Sequence, residues 1–161
     1  MAAGALIGLV VYKDFRAMFT LAALVPISIY AIEEGERMKK KRVFVSFDFD
    51  NDVTLKHFIV GQAKNPDSPF EINDCSLKEA APEPEWQEKA RQAIRGSDIV
   101  LVIVGQDTYR AQGVLKEIGF AREAGVKIVQ IIGRKDSTYT PVPNAGRLYA
   151  WSWENLKSLC G

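Results

Sequence analysis

From Val43 onward, short apolar runs alternate with longer stretches in which apolar residues recur every three or four positions. Val43-Phe44-Val45-Ser46-Phe47 is β-branched and aromatic, the composition of a buried strand. Leu55, Phe58, Ile59 and Gln62 then fall at helical spacing, which predicts a helix with most of one face apolar. Asp52 stands where its N-cap belongs. A turn cluster, Lys64 to Pro69, leads to a second strand at Phe70-Glu71-Ile72-Asn73, ending at Asp74-Cys75-Ser76. After an acidic loop containing Pro82 and Pro84, Trp86, Ala90, Ala93 and Ile94 mark a second amphipathic helix, closed by Gly96. Asp98 to Gly105 is the strongest strand. It lacks polar alternation, as a central parallel strand buried on both faces should. A third helix is predicted from about Gly113 to Ala124, with Val114, Leu115, Ile118 and Ala121 on one face and Gly125 at its end. Lys127 to Gly133 reads as a buried strand, Leu148 to Trp151 as a short last one, and Trp153 to Leu159 as a terminal helix.

Strands alternating with helices predict an α/β fold: a parallel sheet with helices on both faces and right-handed crossovers. Ligands in such sheets bind beyond the C-terminal strand ends, near a switch in strand order. The candidate site is therefore the set of loops at 47–52, 74–76 and 105–113. Trp151 and Trp153 are read as core anchors in preference to ligand contacts.

The first 37 residues differ in kind from the remaining 38–161. Met1 to Tyr12 is uncharged; Lys13, Asp14 and Arg16 interrupt; Ala17 to Ile32 is a second apolar run, with Pro26 inside it. That run is slightly short of the ~20 residues that cross a bilayer. One reading is a membrane anchor within residues 1–32, tethering a cytoplasmic domain to the inner membrane. The basic run Lys39-Lys40-Lys41-Arg42 after it favours a cytoplasmic C-terminal side. The other reading is a mis-annotated start, with translation beginning at Met38. Glu34-Gly35-Glu36 can be encoded by a purine run of the ribosome-binding kind.

Composition narrows the function. The chain of 161 residues is 47% hydrophobic and 25% charged, ordinary for a globular protein, and its net charge is +1. That balance argues against a nucleic-acid binder, whose domain would be strongly basic. Cys75, Cys160 and the single histidine, His57, have no metal-ligand spacing, so no metal is expected. Two isolated cysteines fit a reducing compartment.

Two constellations carry candidate chemistry. The acidic loop Asp48-Phe49-Asp50-Asn51-Asp52 fails as an EF-hand, because Val53 and Ile59 occupy the Gly and Glu positions. A phosphatase-type DxDx[T/V] motif fits Asp50 to Thr54 but has no later acidic pair to complete a magnesium site. A receiver domain would need an acid where the third strand ends in Val104-Gly105-Gln106. Helix capping with solvation is the commoner reading, and ligand contact at a strand end the other. The second constellation is Gly105 to Tyr109 followed by Gly113 to Ala121. Glu117 lies early in its predicted helix, where the dipole favours an anion, and flanks the apolar stripe while Lys116 points away. A carboxylate at such a border is partly desolvated, which suits acid–base or cation-stabilising work. Spacing alone favours the plainer alternative, a helix-start acid in solvent.

The order of motifs resembles the bacterial TIR-like family, including the TIR-like subunits of Thoeris phage-defence systems. The segments are a strand with Ser46-Phe47 and its acidic loop, Asn65 to Phe70, Asp74-x-Ser76, Ser97 to Val100, Val114 to Ile118, and Trp151-x-Trp153-x-Asn155-Leu156. The resemblance covers roughly Lys40 to the end and none of residues 1–37. It implies a flavodoxin-like TIR fold with about five parallel strands. It further implies cleavage of the nicotinamide–ribose bond of NAD, as glycohydrolase or ADP-ribose cyclase, with NAD as substrate and no other cofactor. Glu117 matches the family's catalytic glutamate. Ser46, Phe47 and Asp48 match the residues lining the nicotinamide side, where Phe47 could stack on a ring. Asp74 and Ser76 match the loop bordering the cleft, and Thr108 and Tyr109 the loop leading to the glutamate. Implied partners are further copies of the domain and a separate effector reached through the nucleotide signal.

Two positions depart from the family pattern. Gly113 stands where many relatives carry Trp, and Cys75 where a larger residue is expected. Two alternatives accompany the leading reading. Glu117 to Ala121 with Gly125-x-Lys127 also resembles the nucleoside deoxyribosyltransferases, which use a nucleophilic glutamate. The third reading is a non-catalytic TIR-like interaction module.

Overall fold

A computed structural model describes residues 39–75, 83–135 and 138–161. The anchor, tether and alternative-start readings of residues 1–37 lie outside these. Among the described residues no helix is long and apolar enough to cross a membrane. In chain order the elements are β1 (Lys41–Ser46), α1 (Val53–Ala63), β2 (Phe70–Cys75), α2 (Glu83–Arg95), β3 (Ile99–Val104), α3 (Gln112–Glu123), β4 (Lys127–Ile132), β5 (Leu148–Tyr149) and α4 (Trp153–Cys160). A single 3₁₀ turn, Thr108–Arg110, precedes α3. The five strands form one sheet in the order β2-β1-β3-β4-β5, and every neighbouring pair is parallel. This is the α/β parallel sheet the sequence pattern predicts, in the flavodoxin-like order the resemblance implies.

All six side chains of β3, Ile99 to Val104, are buried. Each such aliphatic residue contributes about 1.5–3 kcal/mol by leaving water, and the uninterrupted apolar run places this strand at the sheet centre. Alternation along the strands sorts the core into two layers. Val43, Val45, Phe47, Leu101 and Ile103 face Leu55 and Ile59 of α1 and Leu156 and Cys160 of α4. Phe44, Val100, Val102 and Val104 face Trp86, Ala90 and Ile94 of α2 and Val114, Ile118 and Ala121 of α3. Trp151 and Trp153 pack against the first layer as anchors. α2 and α3 are further tied by an Arg91–Glu123 ion pair, and the Arg91 guanidinium sits 3.8 Å from the Phe120 ring centre.

Two local expectations are corrected, and the loop between β4 and β5 is held in a way no pattern predicted. Phe58, assigned to the apolar face of α1, is 59% exposed; only Leu55 and Ile59 of that helix are buried. The last strand is two residues long and stops at Tyr149. The stretch between β4 and β5 forms no helix among its described residues and is fastened instead by a buried side chain. Gln130 Oε1 accepts the Val142 N–H at 2.9 Å, and Gln130 Nε2 donates to the Gly146 carbonyl at 2.5 Å. Gly146 takes a φ of +78° there, a conformation glycine adopts without steric cost.

Candidate functional site

The order β2-β1-β3 places the switch in strand order between β1 and β3, so the crevice for a ligand opens at their C-terminal ends. Ser46 is the last residue of β1 and lies beside Val102 of β3. Alternation turns it to the same side as Phe44, the side covered by α2 and α3. Glu117 reaches it from α3. The Ser46 hydroxyl donates to Glu117 Oε2 at 2.6 Å, and the bond is buried. Ser46 has no exposed surface and Glu117 is 1% exposed.

This resolves the two readings of Glu117: it is inside, not in solvent. The helix-start argument for it fails, however. α3 begins at Gln112 and has no acid in its first turn, and the dipole effect fades within that turn. Glu117 is instead placed by the Val114–Ile118–Ala121 stripe that docks α3 on the sheet.

The acidic loop is also more buried than a solvated cap would be. Asp48 accepts from the Asp50 N–H at 3.2 Å and from Asn51 Nδ2 at 2.8 Å, a local turn typical of Asp. Asp52 occupies the N-cap position, but its side chain makes no capping bond. It crosses instead to the loop after β3, where the Thr108 hydroxyl donates to Asp52 Oδ2 at 2.9 Å and accepts the Gly105 N–H at 2.7 Å. The approach requires glycine at 105: a Cβ there would lie 2.3 Å from both Asp52 carboxyl oxygens. Burial pushes the Asp52 carboxyl above its ordinary range, and nearby Asp48 adds to this. The Thr108 bond and the Arg134 charge oppose it. Asp52 joins the loop after β1 to the loop after β3, and Thr108, fully buried with its proton given to Asp52, braces the two.

The remaining candidates separate. Phe47 is buried in the layer under α1, across the sheet from Glu117. Its ring packs at 5.8 Å from that of Phe49, so the expected stacking on a ligand has no exposed ring face to use. Asp74 is exposed at the end of β2, and Ser76 lies outside the described residues. Tyr109 is half-buried and lines a cleft of about 640 Å³ with Gln106, Asp107, Thr138, Tyr139 and Thr140. Gln106, Asp107 and Tyr109 fall in the loop singled out from sequence; the turn-rich stretch after Gly133 offered no periodic signal for Thr138, Tyr139 and Thr140. Among the described residues no three His, Cys, Asp or Glu side chains are grouped to hold a metal.

A family model described as "Thoeris protein ThsB, TIR-like domain" matches residues 44–138, more than half of the chain. The chain belongs to this Thoeris TIR-like family. The match runs from β1 through β4 and so includes both Ser46 and Glu117. No curated protein matches the chain. Within this TIR-like domain, the paired residues at the β1–β3 switch are the strongest candidate for a functional centre.

Proposed function

We propose that this TIR-like domain cleaves the bond between nicotinamide and ribose in NAD, as a glycohydrolase or a cyclase. The resulting nucleotide would serve as a signal in phage defence, read by a separate effector. The carrying observation is the buried Ser46–Glu117 hydrogen bond at the switch point of the sheet. In the reaction the C1′–N bond breaks, its electron pair leaves with nicotinamide, and positive charge develops on the ribose. A fixed carboxylate beside that carbon stabilises the charge. Water then adds to give ADP-ribose and a proton, or an adenine nitrogen adds to close a ring. Ser46, by donating to one oxygen of Glu117, holds the carboxyl in one orientation.

A second reading, a TIR-like interaction module without turnover, is favoured by the 1% exposure of Glu117: a substrate reaches it only by displacing what covers it. Incubating the full chain with NAD and following nicotinamide release, with Glu117→Gln alongside, separates the two. The enzymatic reading predicts release that falls at least about 100-fold in the variant, the scale seen when one electrostatic stabiliser is lost. Absence of release from both proteins rejects it in favour of the module. Release of free base from deoxynucleosides instead would indicate transferase-like chemistry.

A further inference from the structure

On the sheet face opposite α3, a pocket of about 560 Å³ opens between α1, the segment after β4 and Trp151. Its volume is that of ordinary small-molecule sites. Phe58 forms part of its wall, and it is the one exposed large hydrophobic side chain among the described residues. Trp151 also lines the pocket, and its indole N–H donates to Gln62 Oε1 at 3.1 Å and is thereby held in one orientation. The polar lining is one-sided. The Gln62 side-chain oxygen is taken by Trp151 and that of Asn65 by the Asp67 N–H at 3.0 Å. Each therefore keeps its NH₂ as the uncommitted group. Lys135 and His57 also line the pocket, and among the described residues no carboxylate does. Among the described residues Lys135 has no ion-pair partner.

Aromatic walls with a rim of donors and one cation recognise a planar ring carrying an anion. We propose that this pocket is a second ligand site, separate from Glu117, for a small aromatic compound bearing a phosphate or carboxylate, about the size of a nucleoside monophosphate. Phe58 and Trp151 hold the ring; Lys135 and the Gln62 and Asn65 amides bind the anion. The site stands independently of the NAD-cleaving reading, since it shares no residue with the Ser46–Glu117 pair.

The test is equilibrium dialysis of the full chain against adenosine monophosphate, adenosine and inorganic phosphate, with the variants Phe58→Ser, Lys135→Glu and Glu117→Gln. Phe58 and Lys135 are both exposed, and matching melting curves verify that the variants fold. Saturable binding of the monophosphate is expected, with adenosine and phosphate each far weaker. Phe58→Ser and Lys135→Glu should each weaken it about tenfold or more, the scale of one lost base–aromatic stack, and Glu117→Gln should leave it unchanged. The proposal is overturned by the absence of saturable binding, by indifference to either Phe58→Ser or Lys135→Glu, or by loss in Glu117→Gln.

Discussion

Replacing Ser46 by Ala removes the hydroxyl that donates to Glu117 Oε2 at 2.6 Å, inside a site with almost no solvent access. A buried hydrogen bond contributes about 0.5–1.5 kcal/mol, and about 1.5–3 kcal/mol where one of its groups is charged. Ser46→Ala should therefore destabilise the chain by about 2 kcal/mol. Glu117→Met alone leaves the Ser46 hydroxyl without this acceptor and should also cost stability. The double variant removes both polar groups together, and such paired removal is often close to neutral. A double-mutant cycle should then give a coupling energy of about 1.5–3 kcal/mol. The assay is urea unfolding followed by far-UV circular dichroism. With a slope of about 1–3 kcal/mol per molar for a domain of this size, Ser46→Ala should move the midpoint by roughly 1 M. A coupling energy below about 0.5 kcal/mol would refute the reasoning, because it would mean the two groups do not depend on each other. If the double variant matches the wild type, the buried carboxyl is held against no net gain in stability, the signature of a residue kept for function.

Gln130→Leu keeps the volume but strands the buried Val142 N–H and the Gly146 carbonyl; it should cost about 2–4 kcal/mol, seen as a melting point lower by about 10 °C. Gly105→Ala drives a Cβ into the Asp52 carboxyl and should cost about 1–3 kcal/mol by overpacking, with the Thr108 hydroxyl bond lost in the amide and hydroxyl NMR spectrum. Asp52→Asn tests the burial of that acid. Because the folded-state pKa of Asp52 lies above its ordinary 3.8, the folded chain holds this proton more tightly than the unfolded chain. Its contribution to stability is thus greatest in acid and declines as pH rises through the folded pKa. The Asn variant should accordingly show no relative gain below pH 3.8 and a full gain at neutral pH, and a gain independent of pH would contradict the assignment.

The element order and the sheet were legible in the chain because they follow from local periodicity. Ile99 to Val104 has no polar position, so only a strand covered on both faces could accommodate it. Glu117 was legible as a candidate from its motif, but its burial was not: the 100° step put it only at the border of the apolar stripe. What moved it inside was the depth at which α3 docks and the Ser46 hydroxyl waiting at the end of β1. Ser46 at the end of β1 and Phe47 just after it face opposite sides of the sheet, Ser46 toward Glu117 and Phe47 into the layer under α1. The Asp52–Thr108 brace and the Gln130 fastening were beyond reach of any pattern, since each joins residues from different loops through a single buried side chain. Phe58 shows the same limit from the other side: its spacing matches the apolar face of α1, yet the packing of the layer leaves it in solvent. Local sequence determined which segments are strands and helices and in what order, through periodicity and turn chemistry. Which polar groups meet in the interior was decided only when the layers closed, because a hydrogen bond between distant residues depends on three-dimensional register that no local pattern encodes.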